Sequence, residues 1–245
     1  FYLALGLFFF GLSIERYPRL SQSLAWAWGG RGMAGGGLLV AVGLYQHMGA
    51  QDEANLAYRQ RLLAEQYRYA VVPAPQVEHY GLDIALLGEG SPIAAKVQIR
   101  LYNYHEIALD SLTFTLNPGL ALRAVEDSTG NPLAWIRGEA VIRVHAPMLA
   151  GAERTLTLLY DGDIDRQGFD LLRDETRLEK SKWPFIKGDL TAWIRDESVF
   201  LPPRSRWYPI AGVAYHPQDP PPPAFATAEI AVSMPAGLEV VTQGQ

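Results

Sequence analysis

Zinc chemistry needs two or three imidazoles or carboxylates that converge on one ion. The chain offers five histidines: His47, His79, His105, His145 and His216. No two of them stand four apart, and H-E-x-x-H is absent. His105-Glu106 is the only His-Glu dipeptide. His145 falls within a strand pattern and reads as a rim residue rather than a ligand. Nucleophilic catalysis is no better served. There is no cysteine, hence no thiolate and no disulfide, and there is no G-x-S-x-G elbow. Asp161, Asp163 and Asp165 alternate with Gly162 and Ile164 like the opening of a calcium loop. The later ligands of such a loop are missing, so the run reads as a strand end passing into a loop. No catalytic, metal or cofactor-binding residue is assigned within this chain.

The densest group able to recognise something is Arg204, Arg206, Trp207 and Tyr208, followed by Pro209. It reads as a contact for a peptide or partner domain, or as aromatic packing of a loop onto a sheet edge. The run Pro220–Pro223 has no backbone donors and reads as a stiff extended spacer. Nucleic acid is excluded as a partner by charge. The net charge is −5, and the acidic excess lies beyond residue 48, whereas the first 48 residues hold three Arg against one Glu.

The elements that must position these residues fall into two kinds. Residues 1–50 read as two transmembrane helices, the first truncated. One is the uncharged block Phe1–Leu12, the other the apolar run Met33–Tyr45 within Gly32–Ala50. Between them, 14–31 carries Arg16, Arg19 and Arg31 with Trp26 and Trp28, which predicts a cytoplasmic loop. Residues 51–72 read as a stalk helix, because Ala54, Ala57, Tyr58, Leu62 and Glu65 recur at helical spacing and Pro73 and Pro75 end the run. From 73 to 245 the period falls to two. Tyr80–Leu86, Val97–Leu101, Leu112–Leu116, Leu120–Val125, Val141–Val144, Thr155–Tyr160 and Ala228–Met234 read as strands, and Leu238–Val241 as the start of another. Asp161–Asp196 reads as a long, partly helical excursion. The expected fold is mainly β: an antiparallel sandwich or saddle-like domain, extracytoplasmic, carried by helices in a bacterial inner membrane.

Four stretches give this pattern a resemblance. They are Leu101-Tyr102-Asn103, then Leu116-Asn117-Pro118-Gly119-Leu120, then Gly151–Gly162, then Trp207-Tyr208-Pro209 with Phe225–Leu238 and Gln243-Gly244. In this order they resemble the N-terminal β domain of zinc aminopeptidases of the aminopeptidase N type. Together with the two expected spans, the chain resembles bacterial fusions of an ABC-transporter permease to such a peptidase. The resemblance implies a non-catalytic anchoring and scaffold segment. A zinc aminopeptidase-like domain would follow it in cis and hold the zinc, with membrane lipid and a separate ABC ATPase subunit as further partners. The parent would then be a zinc aminopeptidase. The alternative is a peptide- or partner-binding module of a transporter with a degenerate peptidase fold. In the family, a Gln or Glu of this domain binds the substrate amino group. Phe200-Leu201-Pro202-Pro203, where it should stand, has neither.

Overall fold

The computed structural model describes residues 2–16, 24–88, 91–165, 192–213 and 226–241. The chain divides into two compact units, Phe1–Ala57 and Tyr58–Gln245. Among the described residues there are two α-helices, α1 (Tyr2–Arg16) and α2 (Leu24–Tyr69). In the first unit α1 and the opening turns of α2 touch through small residues. A Cβ on Gly11 would meet the Ala34 amide and the Gly30 carbonyl at 2.6 Å, and one on Gly37 would meet the Phe8 amide at 2.7 Å. Ala4, Ile14, Ala34 and Ala41 are buried in the same unit. Glycine costs a helix about 1 kcal/mol, and here it permits close backbone approach.

The two expected transmembrane helices are not there: no helix among the described residues is long and apolar enough to cross a membrane. The physical reason in α2 is dilution. In α2 the apolar run is interrupted by Gly35, Gly36, Gly37 and Gly43, which add little apolar surface, and bounded by Arg31 and by Gln46-His47. The stretch read as a loop over 14–31 is helical from Leu24 onward, and the expected stalk is the continuation of the same helix. The extracytoplasmic placement has no span to rest on.

The second unit is built on two stacked sheets. One holds β1 (Gln76–Gly88), β2 (Ser91–Tyr102), β4 (Leu120–Asp127), β7 (Glu153–Gly162) and β11 (Thr227–Ser233), in the order β11-β1-β2-β7-β4. The other holds β3 (Leu112–Thr115), β5 (Trp135–Arg137), β6 (Val141–Val144) and β10 (Ile210–Ala211), in the order β10-β3-β6-β5. A hairpin of β8 (Trp193–Arg195) and β9 (Ser198–Phe200) stands apart. Ile93, Ala95, Val97, Ile99 and Leu101 of β2 point into the core with Leu156, Leu158 and Tyr160 of β7, while Lys96, Gln98 and Arg100 point out. That is the period-two pattern of the sequence.

The expected antiparallel arrangement fails at one edge. β11 runs parallel to β1, Tyr80 opposite Ala228 and Ile84 opposite Val232, so the sheet is mixed. A parallel neighbour needs a long crossover, and the whole of β2 to β10 intervenes. Leu238–Val241 is not a strand.

The last turns of α2 lie on the outer face of the four-stranded sheet. Tyr58 donates its hydroxyl hydrogen to Asp165 Oδ2 at 2.6 Å. The Glu65 carboxylate accepts from the amides of Ala140 (2.9 Å) and Val141 (3.3 Å). Arg61 pairs with Glu139 at 3.2 Å. Leu62, between them, is wholly buried. This cover explains why all four residues of β3 are buried, Thr113 and Thr115 included. Leu62→Ala should therefore cost about 2–5 kcal/mol in urea unfolding. Leu56→Ala, at an exposed position on the same helix, should change stability by less than about 0.5 kcal/mol.

Candidate functional site

Asn117, in the L-N-P-G-L stretch, bonds the chain just after Gly151–Gly162 and just before Trp207-Tyr208-Pro209. Its side chain is buried, and each of its polar atoms is engaged. Nδ2 donates to the carbonyls of Ser205 (2.9 Å) and Asp165 (3.1 Å). Oδ1 accepts from the amides of Gly119 (2.9 Å) and Asp165 (2.8 Å). The Asn117 amide donates to the Arg206 carbonyl at 2.8 Å, and its carbonyl accepts from Arg137 Nη2 at 2.8 Å. One primary amide carries two donors and two acceptor lone pairs, and here all four are used. Gly119 is required beside it, since a Cβ there would collide with the Asp163 carbonyl oxygen and the Asp165 amide. The turn after β3 is thus tied both to the segment after β7 and to the segment before β10.

That last segment is the Arg/Trp/Tyr cluster. Pro203–Ser205 form one 3₁₀ turn, and Ser205 Oγ donates to the Pro202 carbonyl at 2.7 Å. Arg206 closes it in the left-handed conformation, φ 54° and ψ 37°, which costs a side-chain-bearing residue about 1–2 kcal/mol. Trp207 is buried, and its carbonyl accepts from the Tyr160 hydroxyl at 2.9 Å. The Pro209 carbonyl accepts from the Tyr80 hydroxyl at 3.0 Å. Tyr208 stands edge-on to Tyr80 (5.3 Å between centroids) and to Trp207 (4.8 Å). Backbone carbonyls of the loop are thereby pinned by tyrosines of both β1 and β7.

Electrostatically the corner is unbalanced. Burial lowers the pKa of the Arg206 guanidinium, opposed by Tyr208 and Tyr80. Its side chain makes no hydrogen bond or ion pair among the described residues. Trp207 Nε1 is likewise buried without an acceptor. Burial raises the phenols of Tyr80, Tyr160 and Tyr208. Tyr58 is raised too, first by burial and then by its bond to Asp165. Of the sequence-predicted cluster, Arg206, Trp207 and Tyr208 share this corner; the Arg204 side chain lies outside the described residues.

The remaining candidates are dispersed. Asp161 pairs with Arg123 at 2.7 Å, Asp163 Oδ1 accepts from the Ile164 amide at 2.7 Å, and Asp165 takes Tyr58. The three carboxylates of D-G-D-I-D thus serve three different partners. His79 bonds Thr227, and His105 Nε2 bonds the Ala74 carbonyl. No group of three metal-ligating side chains occurs among the described residues. His216, Pro220–Pro223 and most of the Asp161–Asp196 excursion lie outside them. Asn117 and Glu65 are the residues whose roles sequence reasoning missed. N-P-G reads as a turn breaker, and nothing local says that its amide reaches two distant segments.

No protein-family profile and no curated protein matches the chain. Solved structures give partial likenesses. A mutant two-domain M1 zinc metallopeptidase bound to L-arginine is 19% identical, with a TM-score of 0.44 over 69% of this chain and 35% of that one. The M1 zinc metallopeptidase from Deinococcus radiodurans is 20% identical, with a TM-score of 0.33 over 40% of this chain and 23% of that one. Yeast LTA4 hydrolase in complex with bestatin is 15% identical, with a TM-score of 0.30 over 38% and 15%. The chain spans about a third or less of the length of these structures.

Asn117→Ala should leave buried carbonyls and amides of three segments unpaired and cost on the order of 3 kcal/mol by urea midpoint. The raised phenols predict the alkaline behaviour. Tyr58, Tyr80, Tyr160 and Tyr208 hold their protons more tightly folded than unfolded, where the value is 10.0. Their contribution is therefore whole below pH 10 and is lost as pH rises above it. Phenolate absorbance from these four should appear together with loss of near-ultraviolet circular dichroism. Ionisation of the four near pH 10 in a chain that stays folded would contradict this.

Proposed function

We propose that residues 73–245 are a non-catalytic β scaffold that packs, within one polypeptide, against a zinc aminopeptidase-like domain. In this reading the zinc and the acting residues belong to that domain, and the β unit walls one side of its cleft. The permease and its ATPase are not part of the reading, since they required membrane spans. The observation that supports it is the junction at Asn117. L-N-P-G-L stands far from W-Y-P in sequence, yet Asn117 bonds Ser205 and Arg206, the two residues directly before W-Y-P.

The contact face proposed for the partner domain is the corner of Arg206 and Tyr208. Among the described residues no acid meets the Arg206 guanidinium; a desolvated guanidinium is costly unless a carboxylate completes it, and a partner domain can supply one. A second reading, a binding module, is favoured by one observation. Phe200–Pro203 leads directly into the turn before Trp207 and carries no Gln or Glu.

The chain alone, given zinc, should not hydrolyse aminoacyl anilides above buffer. Mixed with the separately produced peptidase-like domain, it should form a complex that Arg206→Gln weakens at least about tenfold, as expected for a desolvated charge pair. Thermal stability of the variant should stay near that of the parent. Cleavage by the chain alone, or binding indifferent to Arg206, overturns the proposal. A companion domain with no H-E-x-x-H motif would decide for the binding module.

A further inference from the structure

Between the end of α2 and the β5–β6 hairpin lies a cleft of about 430 Å³. Ala64, Glu65, Arg68 and Tyr69 line it from the helix, and Ile136, Arg137, Glu139 and Arg143 are among the residues that line it from the hairpin. Three arginines thus face two glutamates, and both glutamates are engaged elsewhere. Glu139 is held by Arg61, and Glu65 accepts from the Ala140 and Val141 amides. None of Arg68, Arg137 and Arg143 pairs with a carboxylate among the described residues.

Two guanidiniums rest against the same ring. Arg68 Cζ is 5.6 Å and Arg143 Cζ 5.5 Å from the centroid of Tyr69. A cation over a ring face is favourable, but two cations on one ring repel each other. Ser111 Oγ accepts from Arg143 Nη2 at 2.9 Å, which fixes that side chain's orientation. Arg143 Nε is nevertheless buried and has no acceptor, and the same holds for Arg137 Nη1. A buried N–H without an acceptor costs about 1–3 kcal/mol, more when charged. Arginine only donates, so what is missing is an acceptor, and the charge excess makes it an anionic one. The volume suits a small ligand or one side chain of a larger one.

We infer that this cleft is an oxyanion-binding site, in which Arg143 and Arg68, braced on Tyr69, hold a carboxylate or a phosphate group. Arg137 adds positive charge; its guanidinium pKa is lowered by burial, and Glu65 restores part of the loss. The exposed Ile136 at the lining favours a ligand whose anionic group is followed by an apolar stretch. The site is independent of the scaffold reading, since it does not use the Arg206 side chain and needs no partner domain.

The test is titration of the full chain with acetate and, separately, with inorganic phosphate at constant ionic strength. Arginine side-chain Nε–H resonances are followed by nuclear magnetic resonance. Saturable shifts at Arg143, at least tenfold weaker in Arg68→Gln, are expected. Arg123→Gln, on the five-stranded sheet, should leave them unchanged. Arg68 is exposed, and among the described residues it rests only on Tyr69, so its variant keeps the test valid even if Arg143→Gln loosens the hairpin. Tighter response to acetate assigns a carboxylate ligand, and tighter response to phosphate assigns a phosphate ester. Shifts that do not saturate, or that are the same in Arg68→Gln and Arg123→Gln, overturn the site.

Discussion

The fold of the second unit depends on one buried amide. Asn117 sits in the turn between β3 and β4, and therefore between the two sheets. Its bonds reach the chain after β7 and the chain before β10. A buried polar network is worth most when every member is satisfied and is worse than an apolar core when half satisfied. Here it is complete at the asparagine, so it behaves as a rivet. The carbonyl of Trp207 then falls where Tyr160 can donate to it, and that of Pro209 where Tyr80 can. The left-handed strain at Arg206 is held by the same bonds, since the Arg206 carbonyl is the acceptor of the Asn117 amide.

A second constraint acts on the outer face of the four-stranded sheet. Strand registers place Thr113 opposite Arg143 and Thr115 opposite Val141, on the side away from the core. Without the helix these residues would be wet. With Leu62 buried above them and the Glu65 carboxylate on the hairpin amides, the sheet is covered on both sides. Thr115 meets the burial by donating to the Gly212 carbonyl at 2.8 Å. The covalent order of the chain, helix first and strands after, therefore becomes a layered order of helix, short sheet and long sheet.

Legibility in the sequence follows the range of the interactions involved. Strands β1, β2, β4, β6 and β7 show in the period-two pattern because one face of each meets the core, a property that each residue expresses locally. The docked face of α2 shows for the same reason: Tyr58, Leu62 and Glu65 stand at helical spacing and all three make the contact. The direction of β11 does not show, because parallel or antiparallel pairing depends on how a distant crossover returns. The membrane reading failed on a local quantity, the dilution of apolar surface by glycine. Phe1–Leu12 and Met33–Tyr45 look continuous as letters, yet their small residues form a helix–helix contact at Gly11 and Gly37. The Arg206–Tyr208 corner was visible as a dense cluster of residue types. Its anchor was not, because a turn asparagine and a rivet asparagine are written alike.

The acidity of the chain sharpens the meaning of its lone arginines. With a net charge of −5, carboxylates are in surplus, and surface arginines find them: Arg100 meets Glu78 and Arg123 meets Asp161. Such exposed pairs contribute only about 0–1 kcal/mol each, so stability does not require them. Among the described residues neither Arg206 nor Arg143 meets an acid, and Arg143 Nε is buried. Snorkelling, the usual escape of a long cationic side chain, does not resolve Arg143, since its Nε is sealed while Ser111 and Tyr69 fix the rest of the group. Core packing does not call for a guanidinium either, as an apolar residue of similar length would fill the space without the desolvation cost. What a fixed guanidinium with no acid among the described residues does better than any apolar substitute is receive an anion, with little of its own freedom left to lose on binding.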